Sequence, residues 1–213
     1  MTIPVQAMAR MFAAGAHYAV KQKRKYTNED YITHPMAVAE LVELHGGTDK
    51  MIAAAYLHDV VEDTGVTFDD LRKQFGAEIT NMVFALTNMA KPEDGDRLKR
   101  FMINVQALRN NLDMQTRVIK LADLLHNTSS IVKHDQKFAS VYLAEKVFMI
   151  DVLFDGKKIG SSEEEAERLL STNTPHPLLE KSLYTIKKGI EALPAEMAID
   201  TYEKIAELSM YRS

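Results

Sequence analysis

Residues 54–63 read Ala-Ala-Tyr-Leu-His-Asp-Val-Val-Glu-Asp, an apolar run that passes into a polar one. Residues four apart lie one above the other on a helix, so Glu62 is expected to stack on His58. Asp63 is expected to stack on Asp59 for the same reason. Three carboxylates this close together repel one another unless a cation neutralises them. The stretch therefore predicts a helix with one apolar side and one cation-binding edge.

His34 lies upstream of this stretch, directly before a proline. Proline suits the first turn of a helix, because its missing N–H needs no partner there. That helix is expected to end at Gly46-Gly47, so His34 would stand at its entrance. Farther upstream, helical spacing over residues 3–21 leads into a basic loop that contains Arg24 and Lys25.

A second polar row lies downstream, in Val118-Ile-Lys-Leu-Ala-Asp-Leu-Leu-His-Asn127. Lys120, Asp123 and Asn127 share one helix face at spacings of three and four. An aspartate in an otherwise apolar helix is costly to bury unless a metal or a positive group receives it. Asp123 is therefore predicted as a fourth metal ligand beside His34, His58 and Asp59.

This donor set has consequences for the metal. Two imidazoles and two carboxylates suit manganese, iron or zinc with positions left open for water and substrate. The chain contains no cysteine, which excludes disulfides, thiolate nucleophiles and cysteine-bound zinc. A hard or borderline divalent ion is the expected cofactor.

The composition bounds the class of protein. A chain of 213 residues with 46% hydrophobic content can bury one substantial core. Helical periodicity without strand-like alternation predicts an all-α bundle with little or no sheet. We expect one helical domain over residues 1–155, followed over 156–213 by a loop-rich connection and a C-terminal helical extension packed on the same domain.

The charge bounds the partners. A net charge of −4 lacks the strong basicity of many nucleic-acid binders, so no nucleic-acid partner is expected. No apolar run reaches a spanning length, which predicts a cytoplasmic enzyme without membrane insertion. A small-molecule substrate is the expected partner, and a homo-oligomer is left open.

Four segments carry a resemblance to a known family. In order and spacing they resemble the hydrolase domain of the RelA/SpoT family, over roughly residues 5–153. The chain has no room for a synthetase domain, so it looks like a stand-alone small alarmone hydrolase. The segments are Tyr31-Ile-Thr-His-Pro35, residues 54–63, Phe75-Gly76 and residues 118–127.

The resemblance implies an activity and roles for particular residues. The activity is metal-dependent hydrolysis of the 3′-pyrophosphate of guanosine tetra- and pentaphosphate, (p)ppGpp, to pyrophosphate and GDP or GTP, usually with manganese. By this resemblance the metal ligands are His34, His58, Asp59 and Asp123, the catalytic acids are Glu62 and Asp63, and the substrate contacts are Arg24, Lys25 and Asn127. Lys120 is expected, from its charge and position, to help Arg24 and Lys25 balance the phosphate charge.

Two alternatives stay open at this point. One is an HD phosphohydrolase of another phosphorylated nucleotide, such as an adenosine alarmone or a phosphorylated dinucleotide cofactor. The other is a non-catalytic module that keeps the metal site only to sense nucleotides. The presence of both Glu62 and Asp63 argues against the sensor, which has no need of proton-transfer groups beside its metal.

Overall fold

A computed structural model describes residues 3–111, 113–154 and 177–212, and these residues are almost entirely helical. Within them there is no strand, and the only sheet-like feature is one bridge between Lys23 and Asp30. The predicted all-α class is confirmed. The helices are α1 (Val5–Ala19), α2 (Thr33–Leu44), α3 (Asp49–Leu57), α4 (Val60–Asp63), α5 (Phe68–Leu86), α6 (Arg97–Asn111), α7 (Met114–His134), α8 (Gln136–Leu153), α9 (Pro177–Glu191) and α10 (Ala195–Ser209), with 3-10 turns at Pro92–Asp94 and Met210–Arg212.

The chain divides into two compact units, Met1–Asp123 and Leu124–Ser213. In the first unit, α3 is the central helix and contacts α1, α2 and α5. Ala53, Ala54 and Leu57 of this helix are completely buried. The small alanine side chains let the neighbouring helices approach closely. The helix that leads into His58 is therefore anchored on several sides.

The sequence predicts two helix starts in the first unit from their capping residues, with Thr48 or Asp49 before one helix and Thr67 with Asp70 before another. It also predicts that the second of these helices ends at Phe75-Gly76. Thr48 caps α3 by accepting a hydrogen bond from the Met51 N–H. Thr67 and Asp70 form a reciprocal capping box at the start of α5. Gly76 interrupts α5 with a φ of 81°, at the place where a helix end was expected.

The predicted continuous helix from His58 to Asp63 is wrong. Helix α3 ends at Leu57, and α4 begins only at Val60. The His58 imidazole Nδ1 lies 2.7 Å from the Ala55 carbonyl, the acceptor that a continuing helix would offer to the Asp59 N–H. The side chain thus competes with the backbone, and the chain turns between the two helices.

In the second unit, α8 contacts both α9 and α10. Thr201 donates a 3.0 Å hydrogen bond to Ser140, which gives this apolar interface one satisfied polar pair. The helical structure expected near the C-terminus is therefore present, and it is divided into two helices. The predicted connection and the boundary at residue 155 lie outside the described residues, and the two-part division of the HD domain and its tail stays a prediction.

Among the residues described, no helix combines the length and the hydropathy that crossing a membrane would require.

Candidate functional site

Four side chains from three segments of the first unit converge, and we refer to His34, His58, Asp59 and Asp123 as the ligand cluster. His34 Nε2 lies 3.3 Å from Asp123 Oδ1 and 3.6 Å from Asp59 Oδ2. His58 Nε2 lies 3.1 Å from Asp59 Oδ2 and 3.8 Å from Asp123 Oδ1. The structure thus brings together all four residues that the sequence proposed as ligands.

Burial within the ligand cluster is uneven. The His34 and His58 side chains are 1% and 3% exposed, whereas Asp59 and Asp123 keep 19% and 13% of their side-chain surface. Buried imidazoles therefore form the floor, and the carboxylates keep access to solvent. A small ligand would reach the cluster from the carboxylate side.

The orientation of His58 is set by its backbone contact. Because the Ala55 carbonyl can only accept, the Nδ1 that contacts it carries the proton, and Nε2 is turned towards the carboxylates. Nε2 is buried and makes no directional hydrogen bond to any residue that the structure describes. An imidazole held through one nitrogen, with the other directed into an acidic cluster, has the arrangement of a metal-binding histidine.

The charges in the ligand cluster compensate one another. Burial acts to lower the pKa of His58, but the charge and contact of Asp59, together with the Asp123 charge and the Ala55 carbonyl, raise that pKa to about 9. Burial acts to raise the pKa of Asp123, but Lys120 and the imidazoles hold it well below its usual value. Two ionised carboxylates therefore favour positive charge at this position, whether it is carried by protons or by a cation.

The residues fit a divalent metal ion. One donor atom each from His34, His58 and Asp59 all lie within 4.8 Å of one another. Metal–ligand bonds of about 2.1 Å place neighbouring donors about 3 Å apart and opposite donors about 4.2 Å apart, so this spread suits one ion. The nitrogen and oxygen donors match manganese, iron or zinc equally well.

Two further residues support the carboxylates of the ligand cluster. Tyr31 donates a 2.7 Å hydrogen bond from its hydroxyl to Asp59 Oδ2. Burial, reinforced by the Asp59 charge, raises the pKa of Tyr31, so the hydroxyl keeps its proton and remains a donor. Lys120 Nζ lies 2.9 Å from Asp123 Oδ2 and forms an ion pair with it. Both contacts orient a carboxylate oxygen.

We refer to Glu62 and Asp63 as the acid pair, and each of them is held by an amide from another segment. Asn88 donates to Glu62 through its backbone N–H at 3.0 Å and its side-chain amide at 3.2 Å. Gln22 donates to Asp63 Oδ2 through its side-chain amide at 2.8 Å. Desolvation raises the pKa of Glu62 despite the Asn88 hydrogen bonds, and the Asp59 charge adds to this rise.

Three residues predicted to contact the substrate lie on two segments, the basic loop and α7. The Arg24 guanidinium lies 5.8 Å from the centre of the Tyr31 ring, which puts it beside the residue that bonds Asp59. Lys25 contacts the neighbouring Tyr26 instead, with Nζ 4.7 Å from the centre of that ring. Asn127 follows Asp123 by four residues on α7. Their roles towards a substrate stay predictions.

Four residues that contribute to the site were not predicted from the sequence: His17, Gln22, Tyr31 and Asn88. All four are neutral, and their partners lie 26 to 41 residues away or, for His17, five residues away across a turn. Tyr31 offered one signal, because it stands three residues before a predicted ligand. Gln22 and Asn88 offered no such signal in the sequence, because a glutamine in a basic loop and an asparagine after a helix are ordinary surface residues.

Comparisons with known proteins agree with this geometry. The HD domain family matches residues 9–150. A metazoan ortholog of SpoT, described as hydrolysing ppGpp and acting in starvation responses, has a solved structure that superposes with a TM-score of 0.68 at 21% identity. The superposition covers 88% of this chain and 96% of that one, which shows a shared fold.

Sequence relatives cover a smaller share of the chain. The guanosine-3′,5′-bis(diphosphate) 3′-pyrophosphohydrolase MESH1 of Xenopus tropicalis is 35% identical over 123 residues, which are 56% of this chain and 65% of the relative. A probable 3′-pyrophosphohydrolase of the same substrate from Synechocystis is 36% identical over 132 residues, 61% of this chain and 17% of the relative. The chain thus spans under two thirds of the length of these relatives. Because the HD domain match covers well over half of the chain and includes every residue of the ligand cluster, the chain belongs to the HD domain family.

Proposed function

We propose that this protein is a metal-dependent phosphohydrolase that removes the 3′-pyrophosphate of (p)ppGpp, releasing pyrophosphate and GDP or GTP. The observation that carries the proposal is the convergence of His34, His58, Asp59 and Asp123 directly beside a pair of hydrogen-bonded acids. The names of the two sequence relatives support the choice of substrate.

The four residues of the ligand cluster would hold one divalent cation, and manganese is our proposal. Such a cation supplies Lewis acidity, lowers the pKa of a coordinated water towards about 7 and offsets phosphate charge. Lys120 holds Asp123 Oδ2, so Oδ1 of Asp123 is left to face the imidazoles. Tyr31 bonds Asp59 Oδ2, the oxygen that faces both imidazoles, and so fixes its position. This support keeps the donor atoms in place before a ligand arrives.

The acid pair would move the protons. Water attacks the phosphorus attached to the ribose 3′-oxygen, the P–O3′ bond breaks, and the ribose oxygen must receive a proton. Glu62, whose pKa is raised, is suited to holding a proton close to neutral pH, whereas Asp63 is available to orient the attacking water. Proton transfer of this kind contributes roughly a hundred- to ten-thousand-fold in rate.

The remaining predicted residues would serve substrate charge. Arg24 stands beside Tyr31 and would approach the nucleotide from the rim, together with the exposed Lys25. Lys120 is engaged with Asp123, so we propose that it acts on substrate only through the ligand it positions. Asn127 would contribute from the next turn of α7.

The test follows the products. Purified protein with added Mn²⁺ is incubated with ppGpp in ¹⁸O-labelled water, and the products are separated and analysed by mass spectrometry. We expect GDP and pyrophosphate with the heavy oxygen in the pyrophosphate, since attack is at phosphorus. An Asp123→Ala protein processed in parallel is the control for contaminating phosphatases, and we expect it to release neither product.

Other outcomes would replace the proposal. Release of inorganic monophosphate alone, or equal turnover of nucleoside 5′-monophosphates, would make the protein a general HD nucleotidase. Faster turnover of the adenosine alarmone or of a phosphorylated dinucleotide would change the substrate. Tight nucleotide binding without hydrolysis under any divalent metal would make the protein a sensor.

A further inference from the structure

The chain turns sharply between α1 and the loop that carries the basic residues. Lys21 adopts the left-handed conformation with a φ of 55°, which glycine usually occupies at a helix end. The Lys21 N–H donates to the Tyr18 carbonyl and the Gln22 N–H to the His17 carbonyl, the two bonds of a Schellman motif. The backbone of Gln22 is thereby fixed against the last turn of α1.

The other side of Gln22 is fixed as well. Its carbonyl accepts a 3.3 Å hydrogen bond from the Tyr31 N–H. Tyr31 in turn bonds Asp59 of the ligand cluster, so the Gln22 backbone is tied to a residue that supports this cluster. A left-handed non-glycine residue persists only where surrounding contacts hold it, and such residues concentrate at functional sites.

The side-chain amide of Gln22 bridges two titratable groups. Its Nε2 lies 2.8 Å from Asp63 Oδ2, and its Oε1 lies 2.6 Å from His17 Nδ1. A carboxylate only accepts hydrogen bonds, so the NH₂ group must face Asp63 and the amide oxygen must face His17. His17 Nδ1 must then carry the proton, since an amide oxygen only accepts.

His17 is built as a fixed donor. It is 1% exposed, its ring centre lies 4.8 Å from that of Tyr31, and its Nε2 is buried without a hydrogen bond to any described residue. Burial lowers the pKa of His17, which keeps the ring neutral with a single proton to donate. The hydrogen bonds among His17, Gln22 and Asp63 therefore fix one orientation of the Gln22 amide and one tautomer of His17.

We propose that Gln22, locked by His17, is a positioning residue that holds Asp63 in the orientation its role requires. This inference rests on the proposed function, because Asp63 is one of its two proton-handling acids. Asp63 is the last residue of a four-residue helix and is exposed, so its own element restrains it little. A hydrogen bond from a fixed amide supplies the restraint that a reacting group needs.

The kinetic test replaces the amide. Gln22→Leu is expected to lower kcat about ten- to a hundredfold with KM and manganese stoichiometry unchanged, since a misplaced group costs turnover and not binding. Gln22→Glu keeps the size but turns an acceptor towards Asp63, and the same loss is expected. Gln6→Leu on α1 is the matched control, because the Gln6 amide contacts Asp49 away from the site, and it should retain wild-type kcat.

Two combinations separate positioning from a general structural role. Gln22→Leu added to Asp63→Asn should cause less than a twofold further loss, because the restraint has no carboxylate left to hold. His17→Asn, which keeps an N–H donor near the position of Nδ1, should retain several-fold more kcat than His17→Phe. Full additivity, or equal kcat in the two His17 variants, would overturn the proposal.

A spectroscopic measurement tests the bridge without turnover. In ¹⁵N-histidine-labelled protein, His17 is expected to be the neutral tautomer with the proton on Nδ1, and Gln22→Leu should shift the Nδ1 resonance. A proton on Nε2, or a spectrum unmoved by Gln22→Leu, would overturn the bridge. A wild-type protein that hydrolyses no nucleotide but shows the expected tautomer would instead overturn the proposed function, and with it the role of the bridge in turnover.

Discussion

Two members of the ligand cluster, His58 and Asp59, share a six-residue stretch of sequence with the acid pair, yet the cluster and the pair are held in different ways. Members of the ligand cluster contact one another directly, with imidazole nitrogens 3.1 to 3.8 Å from carboxylate oxygens. Each member of the acid pair accepts a hydrogen bond from one neutral side-chain amide, Glu62 from Asn88 and Asp63 from Gln22. The cluster members thus contact one another, with Tyr31 and Lys120 adding support, whereas each acid is held by a residue outside the pair.

This difference predicts two kinds of response to mutation. Removing one charge from a mutually compensated group leaves several others unbalanced, so the loss should be close to complete. Removing one amide leaves the acid in place with more freedom, so the loss should be graded. Four changes, from the largest effect to the smallest, test this contrast.

Asp123→Ala should have the largest effect. It removes a ligand oxygen and leaves Lys120, 12% exposed, without its nearest carboxylate. We expect bound manganese to fall below a tenth of the wild-type stoichiometry by elemental analysis, with no detectable turnover. Wild-type protein stripped with a chelator should lose turnover to the same extent and regain it with Mn²⁺. Full metal occupancy with unchanged turnover in Asp123→Ala would remove Asp123 from the cluster.

Glu62→Gln should have the next largest effect. The amide keeps the shape of the side chain but handles no proton, so kcat should fall roughly a hundred- to ten-thousand-fold. Manganese content should stay at the wild-type value, because Glu62 is bonded to Asn88 and lies outside the ligand cluster. Loss of metal from Glu62→Gln, together with full activity of Asp63→Asn, would make Glu62 a ligand and reverse the assigned roles.

Asn88→Ala should lower kcat only about tenfold, the equivalent of roughly 1 kcal/mol for one hydrogen bond. The backbone N–H at position 88 still donates to Glu62, so half of the restraint remains. Initial rates at saturating ppGpp measure the effect. Thr185→Ala is the control, because its hydroxyl bonds only within α9, and it should keep the wild-type rate. An Asn88→Ala rate as low as that of Glu62→Gln would contradict the graded response.

Lys21→Gly should have the smallest effect, and in the opposite direction on stability. Glycine relieves a left-handed strain of about 1–2 kcal/mol but loses more freedom on folding, so the free energy of unfolding should rise by up to about 1 kcal/mol. Ala19→Gly, two residues earlier and in helical backbone, should instead lower the free energy of unfolding by about 1 kcal/mol. Denaturant titration distinguishes these signs. A destabilised Lys21→Gly protein would show that the lysine side chain itself holds the turn.

Several features could be predicted from sequence because their causes are local. The Thr48 cap, the Thr67–Asp70 capping box and the break at Gly76 depend on residues within four positions of each other, and each lies where the pattern indicated. The ligand cluster was predictable for a different reason. Charged groups in apolar helices have few stable partners other than one another or a metal, so residue type alone narrowed the choice.

The path of the chain between His58 and Asp63 was not predictable in this way. Helical spacing predicted that Glu62 stacks on His58, but the imidazole takes the Ala55 carbonyl and the helix is interrupted. A side chain that competes for a backbone acceptor leaves no trace in hydrophobic periodicity. The pattern therefore predicted one continuous helix where the structure has a turn between two helices.

The sequence by itself determined the all-α class, the positions of most helix ends and the four residues of the ligand cluster, because propensity, capping and the cost of burying charge act through residue type. Only the tertiary structure decided which neutral groups hold the acids. Gln22 reaches Asp63 across 41 residues and Asn88 reaches Glu62 across 26. A hydrogen bond between a polar amide and a distant carboxylate is set by where folding places both ends, and no local energy term in the sequence favours one such partner over another.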